Sequence, residues 1–136
     1  LDCLAADPGC TGKLGAMGVC IGGHLAFRAA MNPAVLAGTC FYATDIHSRS
    51  LGKGQNDNTL DRMAEIQGEM LMIWGRQDPH VPREGRRLVY DAMTDAGIRT
   101  EALLPHFLTW IFIMVTNCID NVDTNPAFAV CKSCTP

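Results

Sequence analysis

Apolar positions in the first hundred residues fall in short unbroken runs, not in strict alternation. Residues 13–19, 35–42, 70–74 and 98–104 each read as a strand, and 70–74 (Met-Leu-Met-Ile-Trp) carries no polar side chain at all. Strands that are apolar at successive positions are buried on both faces, as parallel sheets are. Between these runs the pattern turns helical. Residues 22–31 form a helix ended by Asn32-Pro33, and a second helix begins at Pro82, runs to about residue 96 and stops at Gly97; proline suits a helix start and glycine its end. Residues 1–6 read as the end of a helix, broken at Asp7-Pro8-Gly9. Residues 44–60 are a polar loop, followed by a helical turn at 61–66. Strands alternating with helices predict an α/β fold, a mostly parallel sheet flanked by helices.

The pattern changes near residue 102. All 13 glycines lie at or before Gly97, and of the 11 Lys and Arg residues only Lys132 lies beyond Arg99. Residues 103–115 are uncharged and show little hydrophobic period, unlike surface helices and strands, which carry polar punctuation. The expected organisation is therefore a folded unit over 1–101 and an atypical hydrophobic tail over 102–136, the tail reading as a foreign or mis-spliced end. The chain begins with Leu1, which suggests a fragment or a processed product.

Charge and cysteines narrow the function classes. The net charge of −3 supplies no basic stripe, so nucleic-acid binding is not expected. The longest mostly apolar run, residues 107–115, is far below the roughly 20 residues of a membrane span, and no leader pattern is visible. With seven cysteines, an odd count, and no disulfide framework, reduced thiols in a cytoplasmic setting are expected. Cys131-Lys132-Ser133-Cys134 is a CxxC, but it lies two residues from the end, and His106 and Cys118 make poor company for a metal. Neither a metal nor a cofactor is expected.

Gly18-Val19-Cys20-Ile21-Gly22-Gly23 closes the first strand and opens the first long helix. The spacing is that of a nucleophile elbow with cysteine as the nucleophile. A strand turning sharply into a helix forces strained backbone angles on the residue at the tip, and glycines two before and two after it avoid collisions. Gly23 lets the helix approach the sheet. The thiol sits at the positive end of the helix dipole, and the Ile21 N–H, aimed at the same spot, is the expected oxyanion donor. A dinucleotide loop fits worse: Gly15, Gly18 and Gly22 do not give G-x-G-x-x-G. His24 is expected to be a packing or solvent residue.

Asp78 stands in Gly75-Arg76-Gln77-Asp78-Pro79-His80-Val81-Pro82, directly after the apolar strand 70–74. Ligand clefts of open parallel sheets lie at the carboxyl ends of the strands, where both Asp78 and Cys20 belong. An acid there, after the nucleophile in chain order, suits the orienter of a catalytic histidine. Two histidines follow Asp78. His80 is too near it to be the separate partner, and His106 follows the last expected strand.

With the segments 15–23 and 70–82 in hand, and Cys40-Phe41-Tyr42 between them, the chain resembles the dienelactone hydrolase family of the α/β-hydrolase fold over roughly residues 1–99. The resemblance implies Cys20 as nucleophile, Asp78 as the acid of a Cys-His-Asp triad, and Tyr42 in the wall of the substrate cleft. It also implies strands ahead of the elbow that would supply a second oxyanion N–H, so the fold expected here is a partial α/β-hydrolase lacking N-terminal strands. The family's histidine motif, ending His-Ala-Phe, is absent around His106. The expected function is hydrolysis of a small carboxylic ester or lactone through Cys20. The alternative is a truncated, impaired fragment without turnover, self-associating through exposed apolar surface. Arg76 and Arg83 are candidate contacts for an acidic substrate, but the substrate-binding residues are not legible in the sequence.

Overall fold

The structure is a computed structural model and describes residues 1–50 and 57–103. The elements run α1 (Asp2–Ala5), β1 (Leu14–Val19), α2 (Ile21–Ala29), β2 (Val35–Phe41), a short 3-10 helix (Leu60–Glu65), β3 (Glu69–Ile73), α3 (Arg83–Asp95) and β4 (Thr100–Leu103). The four strands form one sheet in the order β1-β2-β3-β4, every neighbouring pair parallel. Parallel neighbours need a crossover connection, which α2, the 3-10 helix and α3 supply. All strand ends therefore point the same way. Val19 pairs with Phe41, Phe41 with Ile73, and Ile73 with Leu103, which aligns the carboxyl ends in one row.

One core cluster gathers Phe27 of α2 and Ala30 just after it, Met63 of the 3-10 helix, Val89 and Met93 of α3, and Cys40, Met70 and Met72 of the sheet. Burying the phenylalanine, valine and methionine side chains among them contributes roughly 1.5–3 kcal/mol each. α2, the 3-10 helix and α3 thus gather on one face of the sheet. On β1 the residues that alternate with Ala16 and Gly18 point to the opposite face, and there Met17 and Val19 are each 60% exposed.

The helix ends follow their local chemistry. Pro82, at φ −62°, sits immediately ahead of α3. At the other end Gly97 takes φ +72°, which costs glycine nothing. There the Gly97 N–H donates to the Thr94 carbonyl at 2.9 Å and the Ile98 N–H to the Met93 carbonyl at 3.0 Å. This is the paired arrangement of a Schellman end, with buried Ile98 and Met93 both in the core. After α2 the Asn32 side chain accepts from the Ala34 N–H at 3.0 Å and turns the chain toward β2.

The tail from residue 104, with its apolar run 107–115 and its CxxC, lies outside the described residues, as do His106 and Cys118. Among the described residues no helix is long and apolar enough to cross a membrane.

Candidate active site

Cys20 occupies the position between β1 and α2, with φ 60° and ψ −124°. A non-glycine residue in this region costs of order 1–3 kcal/mol and stays there only if its surroundings hold it. They do. The Cys20 N–H donates to the Phe41 carbonyl at 2.8 Å, and the Cys20 carbonyl accepts the His24 N–H at 3.2 Å, opening the helix. The side chain is exposed. Ile21 is the first helical residue, so its N–H belongs to the donors a helix leaves without an internal acceptor.

The glycines divide differently from the sequence reading. A Cβ on Gly18 would lie 2.0 Å from the Gly22 carbonyl oxygen, and one on Gly23 would lie 2.8 Å from the Phe41 carbonyl oxygen. A Cβ on Gly22 would meet nothing within 4 Å. Room at the elbow is thus made by Gly18 and Gly23, not by Gly22. Close approach of α2 to the sheet removes side-chain space at 18 and 23, while position 22 looks outward.

Asp78 lies in the loop after β3, beyond the same row of carboxyl ends as Cys20. One carboxylate oxygen, Oδ1, accepts the N–H groups of His80 at 2.8 Å and Val81 at 3.2 Å, and the Asp78 N–H donates to the Gly75 carbonyl at 3.2 Å. The acid is therefore fixed by its own turn. His80 is exposed and enters this geometry through its backbone.

Tyr42, at the end of β2, has φ 50°, an unusual conformation for an aromatic residue. Its N–H donates to the Ile73 carbonyl at 2.8 Å, which ties it to the end of β3. A Cβ on Gly75 would lie 3.6 Å from the Tyr42 ring and 3.9 Å from the Asp78 Cβ, so glycine leaves the two side chains room beside each other. Burial and the nearby Asp78 carboxylate both push the Tyr42 phenol upward, because each disfavours the phenolate. Cys20, Tyr42 and Asp78 thus stand at or beyond the carboxyl ends of three consecutive strands.

Behind the elbow His24 is fully buried, and its Nε2 lies 2.7 Å from the Thr59 hydroxyl. Burial holds its imidazole below the ordinary range, against a backbone contribution from Thr44. Arg28, one turn further along α2, donates to Thr59 Oγ1 at 3.2 Å and to the Asp57 carbonyl at 3.1 Å, and also pairs with the Asp57 carboxylate. Arg62 donates to the other Asp57 oxygen at 2.6 Å and grips Glu65 through two contacts of 2.7 Å. These links brace α2 against residues 57–65. Among the described residues no group of three or more His, Cys, Asp or Glu could hold a metal ion.

Sequence reasoning missed two features of this region. The left-handed backbone at Tyr42 has no sequence signal, since glycine or asparagine is the usual marker. Arg86 is buried beneath the Asp78 loop, whereas arginine in a helical pattern ordinarily suggests a solvated face.

Comparison with known proteins agrees with this architecture. The pattern of a family described as "Dienelactone hydrolase family" matches residues 1–103. The chain is 47% identical over 102 residues to the "Putative carboxymethylenebutenolidase" of Saccharomyces cerevisiae, a match covering 72% of this chain and 37% of that protein. Among solved structures it resembles the "Putative Dienelactone Hydrolase" from Klebsiella pneumoniae subsp. pneumoniae with a TM-score of 0.57 at 22% identity, over 66% of this chain and 38% of that one. It also resembles an esterase of Pyrococcus furiosus with a TM-score of 0.56 at 16% identity, over 82% of this chain and 52% of that one. At these identities the two structures establish the fold, a partial α/β-hydrolase. The chain spans 37% of the length of its yeast relative.

Proposed function

The chain belongs to the dienelactone hydrolase family, and from that premise we propose that it carries the catalytic half of a carboxylic-ester or lactone hydrolase with Cys20 as its nucleophile. The observation that carries this reading is the strained backbone of Cys20 at a strand-to-helix tip, with its side chain exposed. Backbone strain at non-glycine residues clusters at active sites, and at Cys20 it is held by hydrogen bonds on both sides.

The Cys20 sulfur attacks the acyl carbonyl and forms a tetrahedral intermediate whose oxyanion is stabilised by the Ile21 N–H. A histidine takes the thiol proton and returns it to the leaving alcohol oxygen. Water, deprotonated by the same histidine, then attacks the thioester and releases the acid with regeneration of the thiol. Asp78 orients that histidine, with its carboxylate already fixed by two backbone N–H groups. His106, beyond β4 in chain order, is the histidine left for this role: the other one after Asp78, His80, is two residues away on the same loop. The substrate is a small carboxylic ester or lactone, and Tyr42, at the end of β2 beside Gly75 and Asp78, lines its cleft.

Hydrolysis of p-nitrophenyl acetate and of a dienelactone by the wild type and by Cys20→Ala tests the reading. Cys20→Ala is expected to lose about a thousandfold or more in kcat, since members of such a triad act as a unit. Equal rates would remove Cys20 from the mechanism. His106→Ala is expected to lose a comparable factor, and unchanged turnover in that variant would give the base role to another group.

A further inference from the structure

Arg86 lies on α3, one turn past its start, and is 8% exposed. Its Nη1 donates to the Val81 carbonyl at 2.6 Å and its Nη2 to the Arg76 carbonyl at 3.1 Å. Residues 76 and 81 bracket the loop that carries Asp78. No ion pair engages the guanidinium among the described residues.

A buried cation without a carboxylate is costly, and methionine of similar shape would fill the site without that cost. What methionine cannot do is bind two carbonyls at once. The planar fork of arginine does so with its donors in fixed relative positions, and the single ammonium of lysine does not. The loop is therefore held twice, from inside by the Asp78 carboxylate on the His80 and Val81 N–H groups, and from outside by the Arg86 fork across its two ends. Its α3 anchor is firm, since the Arg86 N–H donates to the Pro82 carbonyl at 3.0 Å and the helix carries Val89 and Met93 into the core.

We propose that Arg86 is a positioning residue: it clamps loop 76–81 and so fixes where the Asp78 carboxylate can meet the catalytic histidine. This rests on the hydrolase reading for its catalytic consequence, while the clamp itself stands on the geometry. Orientation of a base is sensitive to displacements of about 1 Å, which cost on the order of a hundredfold in rate.

The test uses limited digestion with trypsin, because the peptide bond cut after Arg76 contains the very carbonyl that Arg86 holds. In Arg86→Met and Arg86→Lys, cleavage after Arg76 is expected to rise at least tenfold relative to cleavage after the exposed Arg87 of α3, with products identified by mass spectrometry. On p-nitrophenyl acetate both variants are expected to lose at least tenfold in kcat with KM within twofold of wild type. Equal acceleration at Arg76 and Arg87 would make Arg86 a general scaffold residue and overturn the proposal. So would unchanged cleavage after Arg76, full recovery by Arg86→Lys, or unaltered kcat in a turning-over enzyme. If the wild type shows no Cys20-dependent turnover, the hydrolase reading fails, and the cleavage ratio still decides the clamp.

Discussion

Cys20 and Cys40 set the same thiol in opposite surroundings. Cys20 is exposed at the helix start, whereas Cys40 is buried in the core, where desolvation pushes its thiol up to about 12. Alkylation proceeds through the thiolate and needs access. Iodoacetamide at pH 8 is therefore expected to modify Cys20 at least a hundredfold faster than Cys40, read by peptide mass spectrometry. Comparable labelling of the two would mean that the elbow does not form. The placement of single residues was legible unevenly. Cys20 could be found because glycine spacing is a backbone requirement written directly into the chain. Asp78 could be found because Asp-Pro after an apolar strand marks a turn. The backbone at Tyr42 could not, because it is tied to Ile73 on a later strand. Nor could the clamp at Arg86: its partners Val81 and Arg76 are near in sequence, but nothing in the residue pattern marks this arginine as buried. His24 falls between: the sequence leaves it a packing or a solvent residue, and its Thr59 partner, 35 residues away, has no signal.

The junction of β1 with α2 shows how far local pattern reaches at the scale of elements. Every strand and helix named from the pattern is present within about two residues, because the elements are short and most are bounded by Pro, Gly or Asn. The division of labour among the glycines was not legible, because it depends on which side of the helix meets the sheet. That division can be measured. Gly18→Ala drives a Cβ into the Gly22 carbonyl and Gly23→Ala drives one toward the Phe41 carbonyl, both rigid backbone atoms. Overpacking of this kind typically costs about 1–3 kcal/mol, and Gly18, at 2.0 Å, belongs at or above the upper end. Gly22→Ala meets open space at a helical position with no positive φ, so it is expected to be neutral or to stabilise by up to about 1 kcal/mol through loss of unfolded-chain freedom. Urea unfolding of the three variants gives the order. A Gly22→Ala loss as large as that of Gly18→Ala would refute the assigned contacts.

For the molecule as a whole, the brace between α2 and residues 57–65 makes stability depend on pH in two steps. Burial holds the His24 imidazole below its ordinary 6.5, so the folded state binds that proton less readily than the unfolded chain. Its contribution is present above 6.5 and is lost progressively as pH falls below that value, because protons then favour the unfolded state. The Asp57 carboxyl is held below its ordinary 3.8 chiefly by its hydrogen bond from Arg62, and that of Glu65 below its ordinary 4.5, again through Arg62. Both contributions are present above the ordinary carboxylate range and are lost as pH falls through and below it. Both carboxylates are solvent-accessible, so the lower step is small and weakens in salt. Thermal melting between pH 8 and pH 3 is thus expected to show Tm falling first between about 7 and 5 and again below about 4.5. His24→Gln keeps a side chain able to reach Thr59 but cannot gain a charge, so the upper fall should disappear while the lower one remains. Asp57→Asn should do the reverse, reducing the lower fall and leaving the upper one. A wild-type Tm that is flat from pH 7 to 5, or an upper fall that persists in His24→Gln, would show that His24 is not the group whose protonation loosens α2 from the residues that brace it.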